Sequence, residues 1–305
     1  MLSLAGAPLW GQQPAPAQRP PLRRSPYKRL AGHVMKTVDP DLKQVQSFSR
    51  HDTVELLSFD PNFDWAKDIT YRHEVWALEF KFKPLRMIWV DIPQPSGRMR
   101  PKQIWYMVYS VTNPGKVMVP VDDLLLPYDD ALHDKKRVYE VKRVDKPVRF
   151  VPEFLLEGHN SLGEGEGFSK VYQDRVIPVA VGPIRLREDP HRRFYTTVDI
   201  CREIAVGETF WGIAMWEAAG PELDPRGLDP EIDRFSIYIK GLTNAYRWRD
   251  EPGELKKGDR LGKGRQLFQK TLKINFWRPG DKYDEHEGEI RYGLPGGVDY
   301  EWVYR

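Results

Sequence analysis

The sequence predicts a mainly β protein: two Ig-like β-sandwich domains in tandem, with few short helices. Three observations lead there. First, residues 75–82, 85–92 and 103–112 are runs rich in aromatic and β-branched side chains, which suit a packed, pleated surface. Second, 26 Pro and 24 Gly are spread through 305 residues, so the chain is punctuated into short elements rather than long helices. Third, a strand–turn–strand pattern that opens at Trp76 and closes on Thr112 and Asn113 returns, opening at Trp211 and closing on Thr243 and Asn244. A repeated unit of that kind suggests two similar sandwiches.

Residues 1–33 stand apart from the fold. Residues 2–10 are apolar and small, and the stretch 12–24 is rich in Pro, Gln and Arg. Together they resemble the end of a secretory signal followed by a Pro-rich disordered spacer, although no basic segment precedes the apolar run. A disordered tail explains the same composition.

The first sandwich is expected over residues 34–150. Short strands at 42–48 and 53–59 are bounded by Asp39-Pro40 and Asp60-Pro61, and Trp65 and residues 69–71 lead into the runs that begin at Val75. Pro93, Pro95, Ser96 and Gly97 separate the second and third runs, and Gly97 can take positive φ, so a hairpin is expected there. Residues 103–112 lack Pro and are apolar on both faces, which marks a central strand. Pro114-Gly115 makes a tight turn from which 116–120 pairs back. Residues 121–132 are the one locally helix-like piece, broken by Pro127. Residues 135–144 alternate imperfectly and read as a strand.

The second sandwich is expected over residues 151–305. It opens on the flexible Gly-rich loop 158–167. Residues 176–181 and 184–186 are apolar and β-type, and 196–204 alternates as a strand would, with a short helix as the other option. Residues 209–216 and 235–242 are the expected central strands, and 272–277 closes the sheet.

Composition bounds the function. Apolar residues make up 40% of the chain, and ten Trp, fourteen Tyr and thirteen Phe supply enough buried area for a real core. The 47 basic and 44 acidic residues leave a net charge of +3, too even to argue for nucleic acid. The single Cys201 excludes an intrachain disulfide framework and any multi-Cys zinc site, and a lone Cys is expected to be a small buried apolar residue. No apolar run of about 18 residues is present, so no transmembrane segment is expected.

Each candidate chemistry has a plainer reading. Gly163, Gly165 and Gly167 have the wrong spacing for a phosphate loop, and Glu164 and Glu166 would repel phosphate. Gly258, Gly262 and Lys263 are one residue short of a P-loop, and Gly264 stands where Ser or Thr is needed, so an exposed basic loop is expected. Lys135, Lys136, Arg137, Lys142 and Arg143 could form a nucleic-acid patch, but Asp134, Glu140 and Asp145 dilute it to a solvated strand face. Asp224, Asp229, Glu231 and Asp233 lack EF-hand spacing and read as an acidic turn. Asp281, Asp284, Glu285, His286, Glu287 and Glu289 could hold a cation or supply paired carboxylates for glycoside hydrolysis, but a solvated loop explains them. His33, His51, His73, His133, His159, His191 and His286 form no metal-binding spacing, and no Gly-x-Ser-x-Gly is present. Trp89, Trp105, Trp248, Trp277 and Trp302 could stack on sugars or bases, although a strand Trp more often packs in a core.

Residues 63–97, 232–247 and 272–293 resemble an uncharacterised family of predicted exported proteins from planctomycete-type bacteria. The resemblance implies export to the periplasm or cell envelope and carries no activity, cofactor or site residue. The expected function is therefore a non-enzymatic exported structural or interaction protein. Its partner would be another protein or an extracellular polymer; no catalytic residue, metal site, cofactor or nucleic acid is assigned. The alternative is a carbohydrate-binding or carbohydrate-processing protein that uses surface Trp and the acidic loop.

Overall fold

The structure is a computed structural model, and it describes residues 35–38, 74–94, 96–122, 137–159, 170–218, 227–250, 263–279 and 289–305. The strands expected at 42–48 and 53–59, Trp65, residues 69–71 and 123–132, most of the Gly-rich loop, Asp224, residues 256–262 and 281–288 lie outside them.

In chain order the first elements are β1 (Lys36–Val38), β2 (Val75–Trp76), β3 (Glu79–Phe82), β4 (Arg86–Pro93), β5 (Met99–Thr112), β6 (Lys116–Asp122), β7 (Arg137–Arg143), β8 (Val148–Phe150), β9 (Glu153–Gly158) and β10 (Val171–Gln173). The helix α1 (Pro178–Glu188) follows. The rest are β11 (Tyr195–Thr196), β12 (Arg202–Ile204), β13 (Thr209–Glu217), β14 (Arg234–Lys240), β15 (Tyr246–Asp250), β16 (Arg265–Trp277), β17 (Arg291–Tyr292) and β18 (Tyr300–Tyr304). The protein is mainly β, as its sequence predicts.

The first large sheet runs β1-β3-β5-β13-β11, with β4 also on β5. The expected hairpin joins β4 to β5: Gly97 has φ 78° and donates its N–H to the Gln94 carbonyl at 2.8 Å. β5 is central, and its unbroken apolar run buries both faces. Trp105, Met107, Tyr109 and Val111 enter the main core, whereas Ile104, Tyr106 and Val108 enter a smaller core under α1. The strand starts earlier than expected and includes Pro101. That residue lies past the end of β13, whose pairing stops at Ile104, so β5 has a single neighbour there and tolerates proline.

The second sheet runs β10-β9-β14-β16-β15, with β17 and β18 also on β16. Residues 272–277 were expected to close the sheet, but they belong to its hub, with β14 along one edge and β17 and β18 along the other. The two sheets share one core: Trp105 meets Phe235 at 5.6 Å between ring centroids, Tyr109 meets Phe154 at 4.9 Å and Phe82 meets Phe276 at 6.2 Å. Smaller sheets are β2-β6-β7 and β8-β12. β6 therefore pairs with β2 and β7, not back onto β5.

The expected division at residue 150 is crossed. β5 and β13 pair antiparallel from Thr112↔Thr209 to Ile104↔Glu217, so strands from both sides share a sheet and a core. Each of these strands is apolar on both faces, and each needs a neighbour at its edge and cover on both sides. Pairing them meets both needs. The repeat read from the two Trp openings is not matched strand for strand: Trp76 lies in the two-residue β2, with β3 and β4 between it and β5, whereas Trp211 lies in the nine-residue β13 and β14 is the next described strand.

Two further elements differ from expectation. Residues 178–188 form a helix where strands were expected. Pro178 occupies its first turn, where a missing N–H costs nothing, and Ala180 and Ile184, four apart, bury on one face. Burial of that face outweighs the β preference of Val179, Val181 and Ile184. Residues 196–204 divide: β11 runs parallel to β13, residues 197–200 turn, and β12 pairs with β8.

Candidate functional site: an arginine–aromatic shelf

The chain leaving α1 builds the most distinctive surface among the described residues. Asp189 organises it. One of its carboxylate oxygens accepts the His191 N–H at 3.1 Å and the other accepts Arg192 Nε at 2.9 Å. The Arg192 hydrogen bond, with help from the His191 N–H, holds the Asp189 carboxyl below the usual carboxylate range. The turn sets the Arg192 guanidinium 3.9 Å above the centroid of Trp211. Buried Phe194 meets the edge of the same indole at 6.4 Å and fixes its plane.

Tyr195 forms the second half. Arg193 lies 4.7 Å from its ring centroid and Arg202 4.4 Å, and Arg202 also lies 5.4 Å from Phe210. Tyr195 and Phe210 meet at 90° and 5.7 Å. Arg202 is held by two donations to the Asp199 carbonyl, from Nε at 3.2 Å and Nη2 at 2.6 Å. The parallel β11–β13 pair sets Tyr195 opposite Gly212, so Tyr195 and Phe210 share the main-core side of the sheet, while Trp211, between Phe210 and Gly212, packs on the α1 side. A shallow depression of about 450 Å³ results, lined by Asp189, His191, Arg192, Arg193, Phe210 and Trp211 among others.

The arrangement is suited to anions. Ring faces hold the guanidinium planes, and the planar N–H edges suit carboxylate geometry. Asp189 on Arg192 is an intramolecular instance of that contact.

Of the residues singled out from the sequence, those that are described fall elsewhere, with His191 the exception. Trp105 is fully buried, Trp277 and Trp302 are half-buried, and Trp89 is 67% exposed; the Trp248 side chain lies outside the description. His159 bonds Ser236 Oγ at 2.7 Å, but Ser236 is wholly buried and donates to Asn275 Oδ1 at 2.7 Å. With the serine proton committed there, the imidazole acts as donor to Ser236 rather than as its base. Burial, then the Lys273 charge, lowers the imidazole pKa. Cys201 is exposed, not buried as expected, because it follows the 197–200 turn; its thiol donates to the Thr197 carbonyl at 3.2 Å. Partial burial raises that thiol, so it is a weak nucleophile. Lys142 and Arg143 lie on an exposed strand stretch, and Asp229 accepts the Glu231 N–H at 3.0 Å in the acidic turn.

Sequence reasoning took residues 209–216 for core strand alone and missed the shelf. The signal was the run His191, Arg192, Arg193, Phe194, Tyr195, where basic and aromatic residues adjoin.

Among the described residues no group of three or more His, Cys, Asp or Glu is placed to hold a metal ion, and no helix is long and apolar enough to cross a membrane. Comparison with known proteins gives no match: no family model, no curated relative and no solved structure is similar to this chain.

Proposed function

We propose that this is an exported, non-enzymatic interaction protein that docks a carboxylate-bearing extracellular polymer on the arginine–aromatic shelf. The observation that carries the reading is the seating of three guanidiniums on Trp211, Tyr195 and Phe210 at an open surface. Preseated arginines lose little side-chain freedom on binding an anion. The Asp189–Arg192 contact favours carboxylate as the recognised group. Export is supported by the apolar run 2–10 and the Pro-rich stretch after it. The expected pair of tandem Ig-like domains forms no part of this reading, because both halves contribute to one sheet.

The test is retention of the full chain on immobilised polygalacturonate, with neutral dextran and single-stranded DNA as comparisons. Polygalacturonate should bind the protein in a salt-sensitive manner, and Arg192→Ala with Arg193→Ala should weaken it ~10-fold or more. Equal retention on dextran, or tighter retention on DNA, would overturn the reading.

A further inference from the structure

A second recessed site, which shares no lining residue with the shelf, lies where four chain segments meet: the start of β2, the turn after β5, the β7–β8 connection and the turn after β14. Its volume is about 320 Å³. That is at the small end of the range for ligand pockets and suits one compact molecule.

The two Thr-Asn pairs noticed in the sequence both end here. Asn113 Oδ1 accepts the Gly115 N–H at 2.9 Å, and its Nδ2 donates to the carbonyls of Lys146 and Ile204 at 3.1 and 3.0 Å. Asn244 Oδ1 accepts the Trp76 N–H at 2.8 Å and its Nδ2 donates to the Glu74 carbonyl at 2.8 Å. Thr243 Oγ1 adds a bond to the Trp76 carbonyl at 2.6 Å. The segments that carry the lining are thus tied to one another, and the cavity is preformed.

Half-buried Trp76, which also packs against the main core, lines one side, and buried Val117 and Val148 line the apolar part. Exposed Glu74, Lys116 and Lys146 supply the charges. Two ammonium groups against one carboxylate favour an anion. The Glu74–Lys146 separation is 3.9 Å, long enough for both groups to turn to a ligand. A flat face of C–H groups suits the indole, and hydroxyls suit Glu74.

We propose that this pocket binds one sugar-acid residue, its ring against Trp76, its carboxylate at Lys116 and Lys146, and its hydroxyls at Glu74. The source is a free monosaccharide or the end of a polymer.

Glucuronate, glucose and a short polyglucuronate chain would each be titrated into the full chain, followed by amide chemical shifts at Gly115 and the Trp76 indole N–H. Glucuronate should saturate with a preference over glucose of ~10-fold or more, the worth of one charge-assisted contact. Lys116→Met with Lys146→Met should abolish that preference while the rest of the spectrum stays in place. If the polymer binds tighter than the monosaccharide at these same resonances, the ligand is a chain end; equal affinity marks the free sugar acid. The inference falls if glucuronate causes no saturable shift at Gly115 and Trp76, if glucose binds equally, or if the double variant binds unchanged. Arg192→Ala with Arg193→Ala should leave these titrations unaltered, so failure of the shelf and failure of the pocket are distinguishable.

Discussion

Tyr109 lies across Gly212 on the adjacent strand, and the two are direct partners in the β5–β13 ladder. A Cβ at Gly212 would come within 2.3 Å of the Tyr109 Cζ and 2.4 Å of its hydroxyl oxygen. The ring is held from its other neighbours by Phe154 at 4.9 Å and Phe80 at 5.5 Å, so it has no space to retreat. Gly212→Ala should therefore cost about 1–3 kcal/mol, the usual range for overpacking. Urea denaturation would measure it, and an unchanged midpoint would show that the ring moves freely.

The Tyr109 hydroxyl is buried and has no hydrogen-bond partner among the described residues. Burial, foremost, raises its ionisation well above the ordinary range. Tyr109→Phe removes a desolvated polar group and relieves the approach to Gly212, so it should stabilise by about 1 kcal/mol. A loss of stability of similar size would reveal a partner for the hydroxyl.

The tryptophans separate into two kinds. Trp105→Ala should cost about 3–5 kcal/mol, because the indole is wholly covered and meets Phe235 in the core. Trp89→Ala should change stability by less than about 0.5 kcal/mol, because that ring is 67% exposed. The two variants compared in one denaturation series check the sheet assignment.

Glu188 ties α1 to the first sheet. Its side chain is fully covered; it accepts from Lys83 at 2.8 Å, Arg86 at 2.9 Å and the Tyr106 hydroxyl at 2.7 Å. Burial alone would raise its pKa, but the hydrogen bonds from Lys83 and Tyr106 and the charges of Arg86 and Lys83 prevail and lower it. The carboxylate is therefore more acidic in the folded state. Its contribution is present above the ordinary value of 4.5 and is lost as pH falls through the lower folded value. Glu188→Gln should cost about 2 kcal/mol at neutral pH. The gap from the parent should close towards pH 3, as urea midpoints at the two pH values would show.

Asp174 has the opposite sign. Burial raises its carboxyl, and the hydrogen bond from Thr197 only partly offsets that. The unfolded chain ionises near the ordinary 3.8 and the folded chain later. Stability therefore falls as pH rises from that value through the folded one, and the penalty persists at neutral pH. Asp174→Asn should raise the melting temperature at pH 7 and change it less at pH 3. A lowered melting temperature at pH 7 would mean that the ionised form is the one the fold favours.

β5 and the Gly97 hairpin were legible because their signals are local: an apolar run rich in aromatic and β-branched residues and a residue able to take positive φ. The helix at 178–188 was not, because Val179, Val181 and Ile184 prefer strands in isolation and become helical only with a sheet face to cover. The β5–β13 ladder was hidden for a different reason. Two strands that are apolar on both faces announce that they are interior, not which interior edge they share. The shelf was half legible, as adjacent Arg and aromatic residues, but the distance of Trp211 from Arg192 depends on the parallel seating of β11.

The β5–β13 partnership also sets the order in which this protein can come together. A nascent chain released only to residue 150 has β5 with its long second edge bare and none of the facing sheet, whose first strand, β9, begins at Glu153. Sheet closure waits until residue 217 has emerged, and the main core waits for residue 290. Long-range pairing of this kind slows folding. The first half thus spends most of its synthesis as an open, adhesive surface, so the rate at which the second half is delivered should govern how much of the protein escapes aggregation.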